Sequence, residues 1–152
     1  MHYVIDRYPT EESPRLGAMI LYPTPDSVPR ARRWFRKFIA PYDPGCSIDD
    51  CVLLISELVT NAVRYGERDD TARVRVEWFR DRTALRVEVH NPGVPGEVRL
   101  RCPDADDANG RGLLLVDAIA DSWRTGPSHF GGTVVSFVVA DAWPGCVLGV
   151  GG

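Results

Sequence analysis

Residues 51–66, CVLLISELVTNAVRYG, carry the strongest helical pattern in the chain. Apolar residues recur there at three- and four-residue spacing, which predicts one helix face packed on a sheet. This face consists of Val52, Ile55, Val59 and Ala62. Ser47 followed by Asp50 is typical of a capping box, and Gly66 is a good stop signal. The sequence therefore predicts a helix from about Ile48 to Tyr65.

A polar stripe runs along the same helix and consists of Glu57, Thr60, Asn61 and Arg64. Glu57 and Asn61 are one turn apart, so a carboxylate and an amide oxygen project together. A stripe that simply faces solvent would have the same spacing. Alternatively, a carboxylate here can orient or deprotonate an attacking hydroxyl. An amide oxygen can likewise take one position on Mg²⁺.

The elements on either side of this helix predict an α+β fold. They are a strand at 16–22, a helix capped by Ser27 and ending near Ile39, alternating strands at 72–79 and 84–90, a helix over about 112–123, and a strand in GGTVVSFVV at 131–139. Helices on one face of a mainly antiparallel sheet would bury these patterns as a two-layer α/β sandwich. We expect a single domain over 1–152 with its core at about 16–140, an N-terminal extension at 1–15 and a tail at 141–152.

The first predicted helix has an apolar side and a basic side. We expect the apolar side, Ala31, Trp34, Phe35, Phe38 and Ile39, to face the core. The basic side consists of Arg30, Arg33, Arg36 and Lys37. A solvated face is the favoured interpretation, and a docking surface for an acidic partner or a homodimer contact is the alternative. In the two alternating strands the inward sets are Val74, Val76 and Trp78, and Leu85, Val87 and Val89.

Composition narrows the function classes. The chain has 152 residues and a net charge of −3, which gives no general attraction to nucleic acid or anionic membrane. No apolar run is long enough to span a bilayer, and the first residues do not resemble a signal peptide, so we expect a cytoplasmic protein. The four cysteines, Cys46, Cys51, Cys102 and Cys146, lack zinc-site spacing and are expected to be buried free thiols.

Three glycine-containing stretches have the composition of ligand-binding turns. Residues 88–96, EVHNPGVPG, end a strand in a turn where Gly93 would allow close backbone approach. In 109–115, NGRGLLL, glycines flank Arg111 at a helix start, where free N–H groups and a guanidinium favour an anion. In 131–139, Thr133 follows two glycines. Each stretch has an alternative interpretation as a purely conformational turn.

Taken together, the order and spacing of ELVTNAVRYG, NPG, GRGLLLV and GGTVVSF resemble the GHKL (Bergerat-fold) ATP-binding domain. The resemblance is strongest to the small bacterial anti-sigma-factor serine/threonine kinases and covers roughly residues 16–140. It implies that Glu57 activates the attacking hydroxyl and that Asn61 ligates Mg²⁺ on ATP. The further nucleotide-binding residues that it implies are Arg64, Asn91, Gly93, Gly110, Arg111, Gly112, Leu113 and Thr133.

The chain departs from the family pattern at the first glycine box. An Asp that accepts from the adenine amino group is replaced by Asn91, and the second glycine is replaced by Pro95. An amide can accept from adenine, but it can also donate, so guanine could be matched by turning it over. The loop implied to cover the nucleotide, 97–109, is short and acidic, with Asp104, Asp106 and Asp107.

The resemblance leads to two hypotheses about function. In the first, the protein binds Mg·ATP, sequesters a sigma factor and phosphorylates a serine or threonine on an anti-anti-sigma protein of the STAS type. In the second, it is a nucleotide-binding or degenerate-pocket module that regulates by protein binding without phosphotransfer. Asn91 and the acidic loop favour the second hypothesis.

Overall fold

The computed structural model describes residues 13–65, 71–92 and 118–144. In chain order the elements are β1 (Arg15–Leu21), α1 (Ser27–Ile39), a short 3₁₀ helix (Ala40–Tyr42), α2 (Ile48–Tyr65), β2 (Val74–Asp81), β3 (Ala84–Asn91), β4 (Ser122–Pro127) and β5 (Thr133–Val139). In the part of the chain described, no helix is both long and apolar enough to cross a membrane.

The five strands form one sheet in the order β1-β2-β3-β5-β4, and every described pairing is antiparallel. Alternate side chains of a strand point to opposite faces, so the alternating sequences give the sheet an apolar face and a polar face. Both α1 and α2 pack on the apolar face. The predicted α+β fold with helices on one side of an antiparallel sheet is therefore confirmed.

The predicted core sets agree with the structure on both strands and on α2. All six inward residues of β2 and β3 are buried, and so are the four residues of the apolar face of α2. In α1, Ala31, Phe35 and Ile39 are buried as expected, whereas Phe38 is 43% exposed, so its placement in the core was wrong. The four residues of the predicted basic side, Arg30, Arg33, Arg36 and Lys37, are exposed as expected.

Ser27 does not cap α1 as the sequence predicted. The helix begins at Ser27 itself, and Asp26 precedes it without a side-chain capping bond. The Ser27 hydroxyl is buried and donates to the carbonyl oxygen of Tyr22 at the end of β1. Ser27 therefore anchors the β1–α1 connection. A local sequence pattern does not distinguish this role from helix capping.

Residues 122–123 belong to a strand and not to the predicted helix over 112–123. Ala118 and Ile119 are helical, and β4 then pairs with β5, placing Trp123 opposite Phe137. Gly126 and Pro127 lower the strand propensity of this segment, and β4 is an edge strand, where a terminal proline is tolerated. Pairing with β5, a tertiary contact, therefore decides the conformation of residues 122–127.

The predicted tail from 141 begins inside the core. Ala142 and Trp143 are both buried. Trp143 is also bonded at two points: its backbone N–H donates to Thr83 at 3.0 Å, and its indole Nε1–H donates to the carbonyl of Tyr42 at 2.8 Å. The backbone N–H of Gly45 donates to Ala142 at 2.5 Å. This segment therefore joins the β2–β3 turn to the residues that precede α2.

Candidate functional site

Two of the predicted nucleotide-binding residues are neighbours in the sheet. Asn91, the last residue of β3, lies directly opposite Thr133, the first residue of β5. Opposite residues of an antiparallel pair project to the same side, and these two continue the rows of Val89 and Val135 on the helix-covered face. Each is 5% exposed. The sheet thus brings together two residues from widely separated motifs.

The Thr133 hydroxyl stands out because it is buried without a hydrogen-bond partner among the described residues. A hydroxyl can rotate to meet a donor or an acceptor, so an unmet one indicates that no described group is within reach. Leaving a buried polar group unsatisfied costs about 1–3 kcal/mol. A ligand that hydrogen-bonds Thr133 would recover this cost.

The glycine pair before Thr133 has a conformational role. Gly131 and Gly132 have φ of 92° and 77°, a region that side-chain-bearing residues rarely adopt. Ser128 closes the turn, its N–H donating to Gly132 at 3.0 Å and its hydroxyl accepting from the N–H of Phe130 at 3.0 Å. These glycines are therefore needed to reverse the chain from β4 into β5, whatever else they do.

The start of α2 lies at the β2–β3 turn. Gly45 bonds to Ala142, whose neighbour Trp143 bonds to Thr83 in that turn. The main contacts of α2 with the sheet are to β2 and β3. Because the start of α2 is tied to this turn and its main sheet contacts are to the two strands that the turn joins, we infer that α2 extends from the turn along β3.

This direction takes the second half of α2 toward the Asn91 end of β3. The 18 residues of α2 span about 27 Å at 1.5 Å per residue. The eight residues of β3 span about 26 Å. Because both elements start at the β2–β3 turn, the second half of α2, which carries Glu57 and Asn61, extends toward the end of β3. The polar stripe and the Asn91–Thr133 pair therefore lie toward the same end of the molecule.

The polar stripe divides according to its contacts. Thr60 donates to the Ser56 carbonyl at 2.6 Å, so its hydroxyl is used within the helix. Ser56 accepts from Arg32 of α1 at 2.6 Å, which ties the two helices together. Glu57 and Asn61 are partly exposed and Arg64 is exposed, so a ligand from solvent can reach all three.

Several predicted site residues lie outside the described residues. They are Gly93, Gly110, Arg111, Gly112 and Leu113, together with the predicted covering loop at 97–109. Their proposed contacts with the nucleotide remain predictions from the sequence.

A buried charged network on the other face of the sheet was not predicted from the sequence. Glu77, Arg86, Glu88 and His90 are each 5% exposed or less. Arg15 and Arg75 bond to Glu77 at 2.7 and 3.3 Å, and Arg86 bonds to Glu88. Strict alternation in β2 and β3 predicts that these residues share a face, but alternation does not show that the face is covered.

Within this network, His90 connects β3 to the turn between β4 and β5. Its Nε2 lies 3.1 Å from Glu88 Oε1, and its Nδ1 lies 2.7 Å from the hydroxyl of Ser128. Glu77, Glu88 and His90 offer atoms within 4.8 Å of one another, as metal ligands do. Because three arginines already compensate the two carboxylates, the cluster fits a structural ion network better than a cation site. Through the contact of His90 with Ser128, the network holds the β4–β5 turn against the end of β3, next to Asn91.

A comparison with protein-family models gives one match: the model described as the histidine kinase-like ATPase domain, over residues 21–139. The matched region runs from the end of β1 to the end of β5 and includes every candidate site residue from Glu57 to Thr133. A search of curated proteins found no match to the chain.

Proposed function

The chain belongs to the histidine kinase-like ATPase domain family, and on that premise we propose that it binds Mg·ATP and phosphorylates a serine or threonine of a protein partner. The hydroxyl of Thr133, buried beside Asn91 and without a hydrogen-bond partner among the described residues, is the observation that carries the nucleotide part of this proposal. A base edge presents both donors and acceptors, so it suits a hydroxyl and an amide that sit side by side.

The residues of α2 fit the phosphate end of the same ligand. Asn61 would offer its amide oxygen to Mg²⁺, and the guanidinium of Arg64 would pair with phosphate oxygens. Mg²⁺ would offset the negative charge of the phosphates when bound. Gly110, Arg111, Gly112 and Leu113 would line the phosphates from the following helix start, and Gly93 would lie against the base.

Glu57 is the proposed catalytic base. It lies one turn before Asn61 and is partly exposed, so a hydroxyl group of a partner protein can approach it. A carboxylate in this position would orient the hydroxyl and accept its proton as the phosphoryl group is transferred.

The proposed partners are a sigma factor and an anti-anti-sigma protein of the STAS type, with the cytoplasm as the proposed compartment. Phosphorylation would add negative charge at the STAS interface and break that complex, so that phosphorylation decides which partner is held. The exposed cationic side of α1, from Arg30 to Lys37, is a candidate contact for an acidic partner or for a second copy of the chain.

A second candidate function follows from Asn91. The family pattern has an acid at this position, and an amide there weakens the case for strict adenine recognition. In this alternative the protein holds a nucleotide, or none, and regulates by binding partners without transferring phosphate. The fold alone does not separate the two functions, since one fold serves several activities.

Phosphate transfer from γ-labelled ATP to candidate STAS proteins would separate the two functions. The matched control is Glu57→Gln, which keeps the size of the side chain and removes the base. We expect labelled product with the native chain and at least a hundredfold less with the variant. Nucleotide binding without transfer would favour the binding module. Equal transfer by the variant would remove Glu57 from the mechanism.

A further inference from the structure

The start of α2 places two cysteines side by side. Ser47 is the N-cap residue, because its hydroxyl accepts from the N–H of Asp50 at 3.2 Å and its carbonyl accepts from the N–H of Cys51 at 3.2 Å. Cys46 is therefore the residue before the cap, and Cys51 is the fourth residue of the helix. These are the two positions whose side chains meet in a hydrophobic staple.

The two thiols of this staple are free and differ in accessibility. Cys51 is 0% exposed and belongs to the hydrophobic core, whereas Cys46 is partly exposed and packs against that core. The preceding loop is fixed by the hydrogen bond from Gly45 to Ala142. A reagent from solvent would therefore meet Cys46 first, with Cys51 held behind it.

A hydrogen bond makes the two sulfurs chemically unlike. The Cys51 thiol donates to Cys46, and this bond lowers the pKa of Cys46 to about 7, although partial burial and the nearby Asp50 carboxylate oppose it. The same bond, together with burial, raises the pKa of Cys51. The other charged groups at this helix start, Asp49 and Arg36, are paired with each other at 2.6 Å. Cys46 is thus the thiol of the pair that ionises more readily, and Cys51 is the one that retains its proton.

We propose that Cys46 and Cys51 form a redox modification site that a hydroperoxide converts into a disulfide. The Cys46 thiolate attacks one peroxide oxygen, the O–O bond breaks, and a sulfenic acid forms as hydroxide or alkoxide leaves. The Cys51 sulfur then attacks the Cys46 sulfur. The S–S bond forms as the S–O bond breaks, and the sulfenic hydroxyl leaves as water with the proton of Cys51. Two electrons pass from the thiols to the peroxide.

The disulfide would cross-link the start of the helix that carries Glu57 and Asn61. It would add a covalent cross-link between the loop held by Ala142 and the first turn of α2, which the capping bonds and the staple hold together non-covalently in the reduced protein. This modification does not depend on nucleotide binding, so its test and that of the proposed function are independent.

Peptide mapping of the chain tests the site, because trypsin leaves Cys46 and Cys51 in one peptide and places each of the other two cysteines in a separate peptide. Residues 38–64 carry Cys46 and Cys51 together, 102–111 carry Cys102, and 125–152 carry Cys146. After brief treatment with hydrogen peroxide and alkylation, we expect peptide 38–64 to lose both alkylation sites and to weigh about 2 Da less than its reduced form, the two hydrogens lost in the disulfide. Retention of both alkylation sites, while the other cysteines oxidise, would overturn the proposal.

Two variants and the rate of Cys46 alkylation at pH 7 keep the test independent of folding effects. Cys51→Ala should leave Cys46 as a sulfenic acid that dimedone traps, and Cys46→Ser should leave Cys51 unoxidised. At pH 7 alkylation of Cys46 should be about tenfold faster than that of an ordinary thiol with a pKa of about 8.5. A Cys46 rate no higher than that of an ordinary thiol, or oxidation of Cys51 in Cys46→Ser, would contradict the assignment.

Discussion

Asn91 and Thr133 lie directly opposite each other on β3 and β5, buried on the helix-covered face at the end of the sheet toward which α2 runs. This pairing brings the end of β3 and the start of β5 into one surface. The Thr133 hydroxyl finds no partner among the described residues, although every sheet neighbour around it is in place.

Replacing Thr133 by Val should stabilise the nucleotide-free protein. The variant keeps the shape and removes a hydroxyl that is buried without a described partner, so the free energy of unfolding should rise by about 1 kcal/mol. Urea unfolding measures this change. Thr125→Val, at an exposed position of the same sheet, is the matched control and should change stability by less than about 0.5 kcal/mol. A loss of stability specific to Thr133→Val would show that the hydroxyl is bonded within the protein.

Asn91→Asp should sharpen base selection. A carboxylate accepts from the adenine amino group but repels the guanine carbonyl, whereas an amide can satisfy either by turning over. We expect the ratio of ATP to GTP affinity to rise about tenfold, the worth of one hydrogen bond near 1.4 kcal/mol. Competition calorimetry with both nucleotides measures the ratio, which is unaffected by a general loss of stability. An unchanged ratio would remove residue 91 from base recognition.

Breaking the buried ion network should be far more damaging than breaking a surface pair. Glu88→Ala leaves Arg86 and His90 without their buried carboxylate, so the free energy of unfolding should fall by about 3–5 kcal/mol. The matched control is Asp49→Ala, whose ion pair with Arg36 is exposed and should cost less than about 1 kcal/mol. Similar losses in the two variants would mean that the network is not buried as described.

Removing the cap of α2 should weaken the helix that carries Glu57. Ser47→Ala takes away the hydroxyl that accepts from the Asp50 N–H, so stability should fall by about 1 kcal/mol. Ser122→Ala, an exposed serine on the edge strand, serves as the comparison and should be close to neutral. Chemical denaturation of both variants gives the difference. No loss in Ser47→Ala would place the start of α2 elsewhere.

The sequence predicted those elements whose local pattern and tertiary environment agree. The boundaries of α2, its apolar face and the inward residues of β2 and β3 follow from periodicity and from the Ser47 cap, and all are confirmed. Strand β4 was not predicted because its pairing with β5 is a long-range contact. The burial of Trp143 was not predicted because a single aromatic residue between turn residues shows no periodic pattern.

The candidate site was predicted in part for a similar reason. Motif spacing brought Asn91 and Thr133 into one proposed site, and the sheet register places them opposite each other. Nothing in the sequence shows that the Thr133 hydroxyl has no partner among the described residues, or that His90 links Glu88 to Ser128, because both depend on how distant strands and turns pack. The burial of the charged residues on the opposite face of the sheet likewise depends on tertiary packing alone.

Calorimetric titration of Mg·ATP into the native 152-residue chain and into the Thr133→Val variant tests the central claim most directly. The account predicts a single saturable site in the native chain and about tenfold weaker binding in the variant, since one hydrogen bond is lost. Binding of equal strength in both proteins, or no binding to the native chain, would contradict the assignment of the Asn91–Thr133 pair as part of a nucleotide site.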